Sequence, residues 1–213
     1  MKKFTFTPIA VVAILLLSGC ATLDDLDSNC NFTGSKKIVP FCSSISLTVE
    51  GQQIDGEIKE APFVYYLDFF IGSKNFFGDI KYVPFRHKIE AEFDGMPIKG
   101  IWKHYLMKDS VNFLMGDQEL SGVIKYGVLK RTYELRYGDE YITGTMIEDL
   151  GKEVYDLTLG DQIITGAVLK GIWKEIYNLN TANLSEEHTL LFLLLDILRH
   201  IENDIEKRQQ LNG

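Results

Sequence analysis

Three observations predict a mainly β protein. The expected architecture is an antiparallel meander of about 12–13 strands, strongly curved or barrel-like, with one C-terminal α-helix packed on or in it. First, Gly56, Gly78, Gly100, Gly122, Gly144 and Gly166 recur every 22 residues without an insertion or deletion. A fixed period of that size marks a tandem repeat, here six β-hairpin units. Second, apolar and polar residues alternate around each glycine, which is the period of a half-buried strand. Third, the stretch after Ser185 changes to apolar spacings of three and four, the period of a helix face.

In chain order, residues 1–19 read as a targeting segment. Lys2 and Lys3 form its basic end, and Ile9 to Leu17 is an apolar run too short to span a bilayer as a helix. It closes on Leu17-Ser18-Gly19-Cys20, which resembles the lipobox of bacterial lipoproteins. The resemblance implies cleavage before Cys20 and acylation of that residue. Ala21 follows, not Asp, and in lipoproteins of Gram-negative bacteria this resembles the outer-membrane address. Several acyl chains on one cysteine anchor stably where one does not. Residues 20–29 form a short acidic tether.

Losing Lys2 and Lys3 leaves 20 basic against 30 acidic residues, a net of −10. That balance argues against nucleic acid as a partner and against docking on anionic lipid by charge. Cys30 and Cys42 remain after Cys20. An exported compartment permits disulfides, so a Cys30–Cys42 bridge closing a loop over residues 30–44 is expected, ahead of a metal or redox pair.

The repeat domain is expected over residues 45–182. Each first strand alternates as in Ile45, Leu47 and Val49 or Val111, Phe113 and Met115. A polar turn follows, such as Gly51-Gln52, Asp94-Gly95 or Gly116-Asp117. The second strand carries the glycine between two apolar residues, as in Ile54-x-Gly56-x-Ile58. A turn centred between Gly51 and Gln52 would set Leu47 opposite Gly56, Phe69 opposite Gly78, Phe113 opposite Gly122 and Leu135 opposite Gly144. The glycine column then reads as a curvature device, each glycine lying under a large neighbour.

The turns between repeats are apolar where turns are normally polar. They are Pro62-Phe63, Pro84-Phe85, Leu106-Met107, Val128-Leu129, Leu150-Gly151 and Ile172-Trp173. This rim either folds inward to close the core, or presents Phe63, Phe85, Met107, Leu129 and Trp173 to a membrane or a partner. Gly100-Ile101-Trp102-Lys103-His104-Tyr105, followed by Gly116 and Gly122, is similar to the cadence of MORN-type β-hairpin repeats. That resemblance implies scaffold and interaction roles.

A helix is expected over 185–208, with Ser185 as its N-cap and Glu186 and Glu187 at its positive end. Leu190 to Leu195 is apolar on all sides, which implies burial. No catalytic motif, metal-ligand spacing or cofactor signature occurs; the four histidines, His87, His104, His188 and His200, share no ligand spacing. The expected role is therefore a non-catalytic one: binding or scaffolding by a lipid-anchored envelope protein with a protein partner. A carrier of a lipid or other apolar ligand between sheet and helix, and a small outer-membrane barrel, are the alternatives.

Overall fold

The computed structural model describes residues 32–39, 42–83, 85–171, 173–181 and 184–211. Its strands are β1 (Phe32–Val39), β2 (Cys42–Val49), β3 (Gln52–Ala61), β4 (Val64–Ile71), β5 (Lys74–Val83), β6 (Arg86–Phe93), β7 (Met96–Tyr105), β8 (Lys108–Met115), β9 (Gln118–Tyr126), β10 (Lys130–Tyr137), β11 (Glu140–Asp149), β12 (Lys152–Leu159), β13 (Gln162–Lys170) and β14 (Lys174–Thr181). Each pairs antiparallel with its sequence neighbours, and β14 pairs with β1, so the sheet is a closed barrel. Closure leaves no strand edge to recruit another chain.

The repeat unit extends further than the six glycines suggest. Gly34, on β1, lies 22 residues before Gly56 and belongs to the same column. Each column glycine pairs with the residue 11 before it and the residue 13 after it, as Gly56 does with Ile45 and Phe69. Gly34 pairs with Leu47, 13 after it, and across the seam with Tyr177. Tyr177 is the position 11 before Gly34 carried forward by seven periods of 22. Seven identical units thus close with no defect of register at the seam.

This corrects one expectation. The region 30–44 is not a loop: it contains β1 and the start of β2, which raises the strand count to fourteen and starts the repeats at Phe32. The disulfide expected between Cys30 and Cys42 falls partly outside the described residues. Cys42 is a free thiol at the head of β2, and Cys30 lies outside the described residues. Phe32, where β1 begins, pairs with Val49 at the opposite end of β2 from Cys42.

The register also differs from expectation by two residues. The turn occupies Glu50-Gly51, where both φ angles are positive, 50° and 81°. Asp94-Gly95 repeats this at 48° and 84°. At Gly72, Gly116, Gly138 and Gly160 only the first turn residue is left-handed. These are the two tight turns whose twist matches paired strands. Within each hairpin Gly56 therefore faces Ile45, Gly78 faces Leu67, Gly122 faces Val111 and Gly144 faces Tyr133. The bulky neighbour comes instead from the following strand. A Cβ on Gly56 would collide with Phe69 Cδ1 and the Asp68 carbonyl, and one on Gly100 with Phe113 Cδ1. The column allows close strand approach on the inner face.

The helix α1 (Glu186–Leu211) runs through the lumen. From Leu190 to Ile201 nearly every residue is buried, whichever way it points. Its contacts come from around the whole wall. Phe192 touches Phe32 on β1 and Tyr155 on β12, and Glu202 reaches Arg131 on β10. Ser185 caps the helix, its Oγ accepting the His188 N–H at 3.1 Å. At the same end Gln52 donates to Glu186 at 3.0 Å and Lys74 pairs with it. The helix enters beside the polar turns and runs towards the apolar ones, on the side that the glycines face. Its observed bounds, Glu186–Leu211, extend past the expected 208. Each fully buried leucine contributes about 1.5–3 kcal/mol, and strand residues such as Phe69, Phe113 and Ile164 enclose the run.

Gly122 is the sharpest test of the column. Its φ is +146°, and a Cβ there would lie 2.7 Å from the Leu135 Cα. Gly116, in a turn, has a φ of +59° and only Met96 side-chain atoms at 3.2 Å. Urea unfolding should show Gly122→Val destabilised by several kcal/mol, and Gly116→Ala by only about 1 kcal/mol.

Candidate functional site

Two features of one barrel end stand out. The first is the rim. The apolar turns do not fold inward. Phe63 is 69% exposed, Phe85 79%, Met107 61%, Leu129 62% and Trp173 63%, with Leu106, Val128 and Leu150 at 95% or more. All eight side chains crown the same end, because the turns that carry them recur at the repeat period. Their backbones are stitched sideways: the Phe63 carbonyl accepts the Tyr82 N–H at 3.1 Å, and the Phe85 carbonyl accepts the His104 N–H at 2.9 Å. The Cys42 side chain is half-buried at this end.

The second feature lies inside the barrel beneath the rim. Inward positions 22 residues apart on the even-numbered strands carry Ser43, Tyr65, His87, Asp109, Arg131, Glu153 and Glu175. This is a polar girdle, one residue per repeat, and α1 meets it with Asp196, Arg199 and Glu202. Reading each strand by alternation alone misses it, because it appears only down the repeat column.

On one side of the girdle Arg199 donates to Glu153 at 2.5 Å and to Asp196 at 2.7 Å. Lys36, fully buried, pairs with Glu175 at 2.7 Å. Tyr177 donates to Asp196 at 2.6 Å and Tyr155 to Glu153 at 3.0 Å. Burial would raise the Asp196 carboxyl, but the Arg199 and Lys36 charges outweigh it and hold it well below the usual carboxylate range. Glu175 is held low in the same way, burial being outweighed by Lys36 and Arg199.

On the other side His104, on β7, faces Asp109 on β8 across the ladder. Its Nδ1 lies 3.2 Å from Asp109 Oδ1 and 3.2 Å from Glu202 Oε1. Trp102 and Tyr126 both donate to Asp109, and Arg131 pairs with Glu202 at 3.3 Å. Burial would lower the His104 pKa, but hydrogen bonds and charge from Asp109 and Glu202 raise it to about 9. His87 stacks edge-on against it, ring centres 4.4 Å apart. Burial, then the His104 charge, pushes His87 down to about 4.

Across the girdle the cations Lys36, Arg131, Lys170 and Arg199 face the carboxylates Asp109, Glu153, Glu175, Asp196 and Glu202, four against five. A proton on His104 balances the count. A cleft of about 270 Å³ opens from the rim onto this side, lined by Leu106, Tyr126, Val128, Leu129, Arg131 and Glu202 among others. A void between helix and wall, lined in part by Tyr133, Tyr155 and Phe192, holds only about 10 Å³, room for roughly one water.

No protein family, curated protein or solved structure matches this chain. The site is therefore read from its own geometry. Of the sequence-predicted positions, the rim residues come together at one end and the column glycines form a belt lining the lumen, apart from the girdle. Cys20 lies outside the described residues.

Removing one partner from a buried ion pair leaves an uncompensated charge and costs about 3–5 kcal/mol. Arg199→Met should lose about that much in urea unfolding, since Glu153 and Asp196 are both 3% exposed or less. The acid limb of stability should change as well. The folded carboxyls of Asp196 and Glu175 lie below their ordinary 3.8 and 4.5. Their contribution is therefore complete above pH 4.5 and lost as pH falls below it. Thermal melts from pH 7 to 2.5 should fall steeply for the native chain. In Arg199→Met they should fall less steeply, because Asp196 loses the charge that lowers its pKa.

Proposed function

We propose that the protein is a cell-envelope lipoprotein, acylated at Cys20 and addressed to the outer membrane, with a non-catalytic binding or scaffold role. The rim is its binding surface. The observation that carries this reading is the ring of highly exposed apolar side chains at one end of the barrel, since large exposed apolar patches mark interaction sites.

The place where β1 starts supports a protein partner over the anchoring membrane itself. Phe32 pairs with Val49 and Leu179, at the end with the polar turns. Eleven residues separate it from Cys20. β1 thus starts at the end opposite the rim, and a barrel standing on that end would point its rim away from the anchoring bilayer.

The two alternatives fit less well. A carrier needs a cavity between sheet and helix, and among the described residues the void found there holds only about 10 Å³. A membrane-spanning barrel needs an apolar outer band and a polar lumen. Here the outer wall carries ion pairs such as Lys88–Glu90 at 2.7 Å and Lys125–Glu134 at 2.6 Å, and much of the lumen is leucine, isoleucine and phenylalanine.

Metabolic labelling with a tagged fatty acid should mark the native chain, and Cys20→Ala should abolish the label. A photo-crosslinking residue at position 85 or 129 should give a protein adduct in cells, and one at wall position 99 should not. The triple variant Phe63→Ser, Phe85→Ser, Leu129→Ser should suppress an adduct formed from position 107 while changing Tm by only a few degrees. Equal crosslinking from wall and rim would defeat this reading.

A further inference from the structure

We propose that His104, Asp109 and Glu202 form a binding site for one divalent first-row transition ion, tying the C-terminal half of α1 to the barrel wall. The three side chains each offer a ligand atom, and those atoms lie within 4.8 Å of one another. Two of the edges, His104 Nδ1 to Asp109 Oδ1 and to Glu202 Oε1, are 3.2 Å. Ligands about 2.1 Å from a common ion are about 3.0–3.4 Å apart in tetrahedral or octahedral arrangements. The two edges already have that length.

The surroundings are those of a metal site. Trp102 N–H and Tyr126 O–H both donate to Asp109, and the Tyr126 hydroxyl also lies 3.3 Å from Glu202 Oε1. Such outer partners hold carboxylate ligands in place. A separate observation points to a missing ligand. His87 is 4% exposed, and neither ring nitrogen has a hydrogen-bond partner. His104 Nε2 is also buried without one. Buried polar groups are nearly always satisfied, so two imidazoles in contact with three unpartnered nitrogens need an explanation. An ion held at His104 would place a charge beside the His87 ring, 4.4 Å away centre to centre.

The donor set selects the ion. One imidazole and two carboxylates suit Zn²⁺, Mn²⁺ or Fe²⁺, whereas Ca²⁺ takes six to eight oxygens and Cu⁺ prefers sulfur. The cleft that opens at the rim reaches Tyr126 and Glu202 and supplies an entry path. Local spacing gave no sign of this site, because its ligands come from two strands and a helix distant in the chain.

The test uses the protein purified without a histidine tag, stripped with a chelator and titrated with Zn²⁺, Mn²⁺ and Co²⁺. Calorimetry should show one equivalent bound. Co²⁺ should develop visible absorption of a nitrogen–oxygen site, and Zn²⁺ should raise Tm. His104→Gln and Glu202→Gln should each weaken Zn²⁺ binding at least tenfold and remove the Tm increase, while Glu119→Gln on the outer wall should leave both intact. The titration of the native chain stands even where a variant folds poorly. Absence of saturable binding, or equal affinity in folded His104→Gln and Glu202→Gln, would overturn the proposal.

Discussion

The structure depends on one constraint: a repeat of 22 residues that never varies. Each unit contributes two strands and two turns, so each inward position recurs at the same height in every unit. A barrel closes only if its last strand meets its first in a compatible register. Because the period is constant, the β14–β1 seam has the same offsets as every other pair, and Gly34 meets Tyr177 as Gly56 meets Ile45. A single inserted residue would turn one strand's inner face outward. The constancy of the period is thus a requirement of closure as much as a trace of duplication.

Closure creates a lumen, and the lumen must be filled. Fourteen strands enclose more space than their own side chains occupy, and α1 supplies the rest. The filling has two parts. Towards the polar turns it is apolar, with Leu190, Leu191 and Leu194 in one buried cluster with Phe69, Phe113 and Leu120. Towards the rim it is Asp196, Arg199 and Glu202 against the girdle. A leucine rod in a greasy tube has little to fix its depth or rotation. Ion pairs with fixed partners at one height supply that, in keeping with the use of buried polar groups to specify register.

Much of this was legible in the sequence, for physical reasons. The column of glycines, the alternation around it and the all-round apolar helix each impose a periodicity that survives in composition. What escaped did so for equally physical reasons. Gly34 sits on the same period, but Cys30 and Cys42 suggested a loop, and the strand between them was passed over. The register slipped because a turn at Glu50-Gly51 puts a left-handed φ on a glutamate, which composition does not announce. The girdle escaped because alternation is read along a strand, whereas Tyr65, His87, Asp109, Arg131, Glu153 and Glu175 form a line only across repeats. Reading every column of the repeat, and not the glycine column alone, would have found it. Glu202 had no local signal at all, since only the path of α1 brings it to His104.

The end of the barrel beneath the rim inverts the usual distribution. Charged groups face inward there, and phenyl, indole and leucyl groups face water. Neither arrangement follows from stability alone. Phe63 and Phe85 have φ angles of 64° and 66°, a left-handed conformation that costs a side chain about 1–2 kcal/mol. Their rings are among the most exposed in the chain, so little burial within the monomer offsets that strain. Strained backbone of this kind clusters at functional positions. The turns at Phe63 and Phe85 leave two rings exposed, and exposed apolar side chains recur at Leu106, Met107, Val128, Leu129, Leu150 and Trp173 around the rim. This end thus combines inward charge, outward apolar groups and left-handed backbone at Phe63 and Phe85, while the opposite end carries the polar turns and the capped start of the helix.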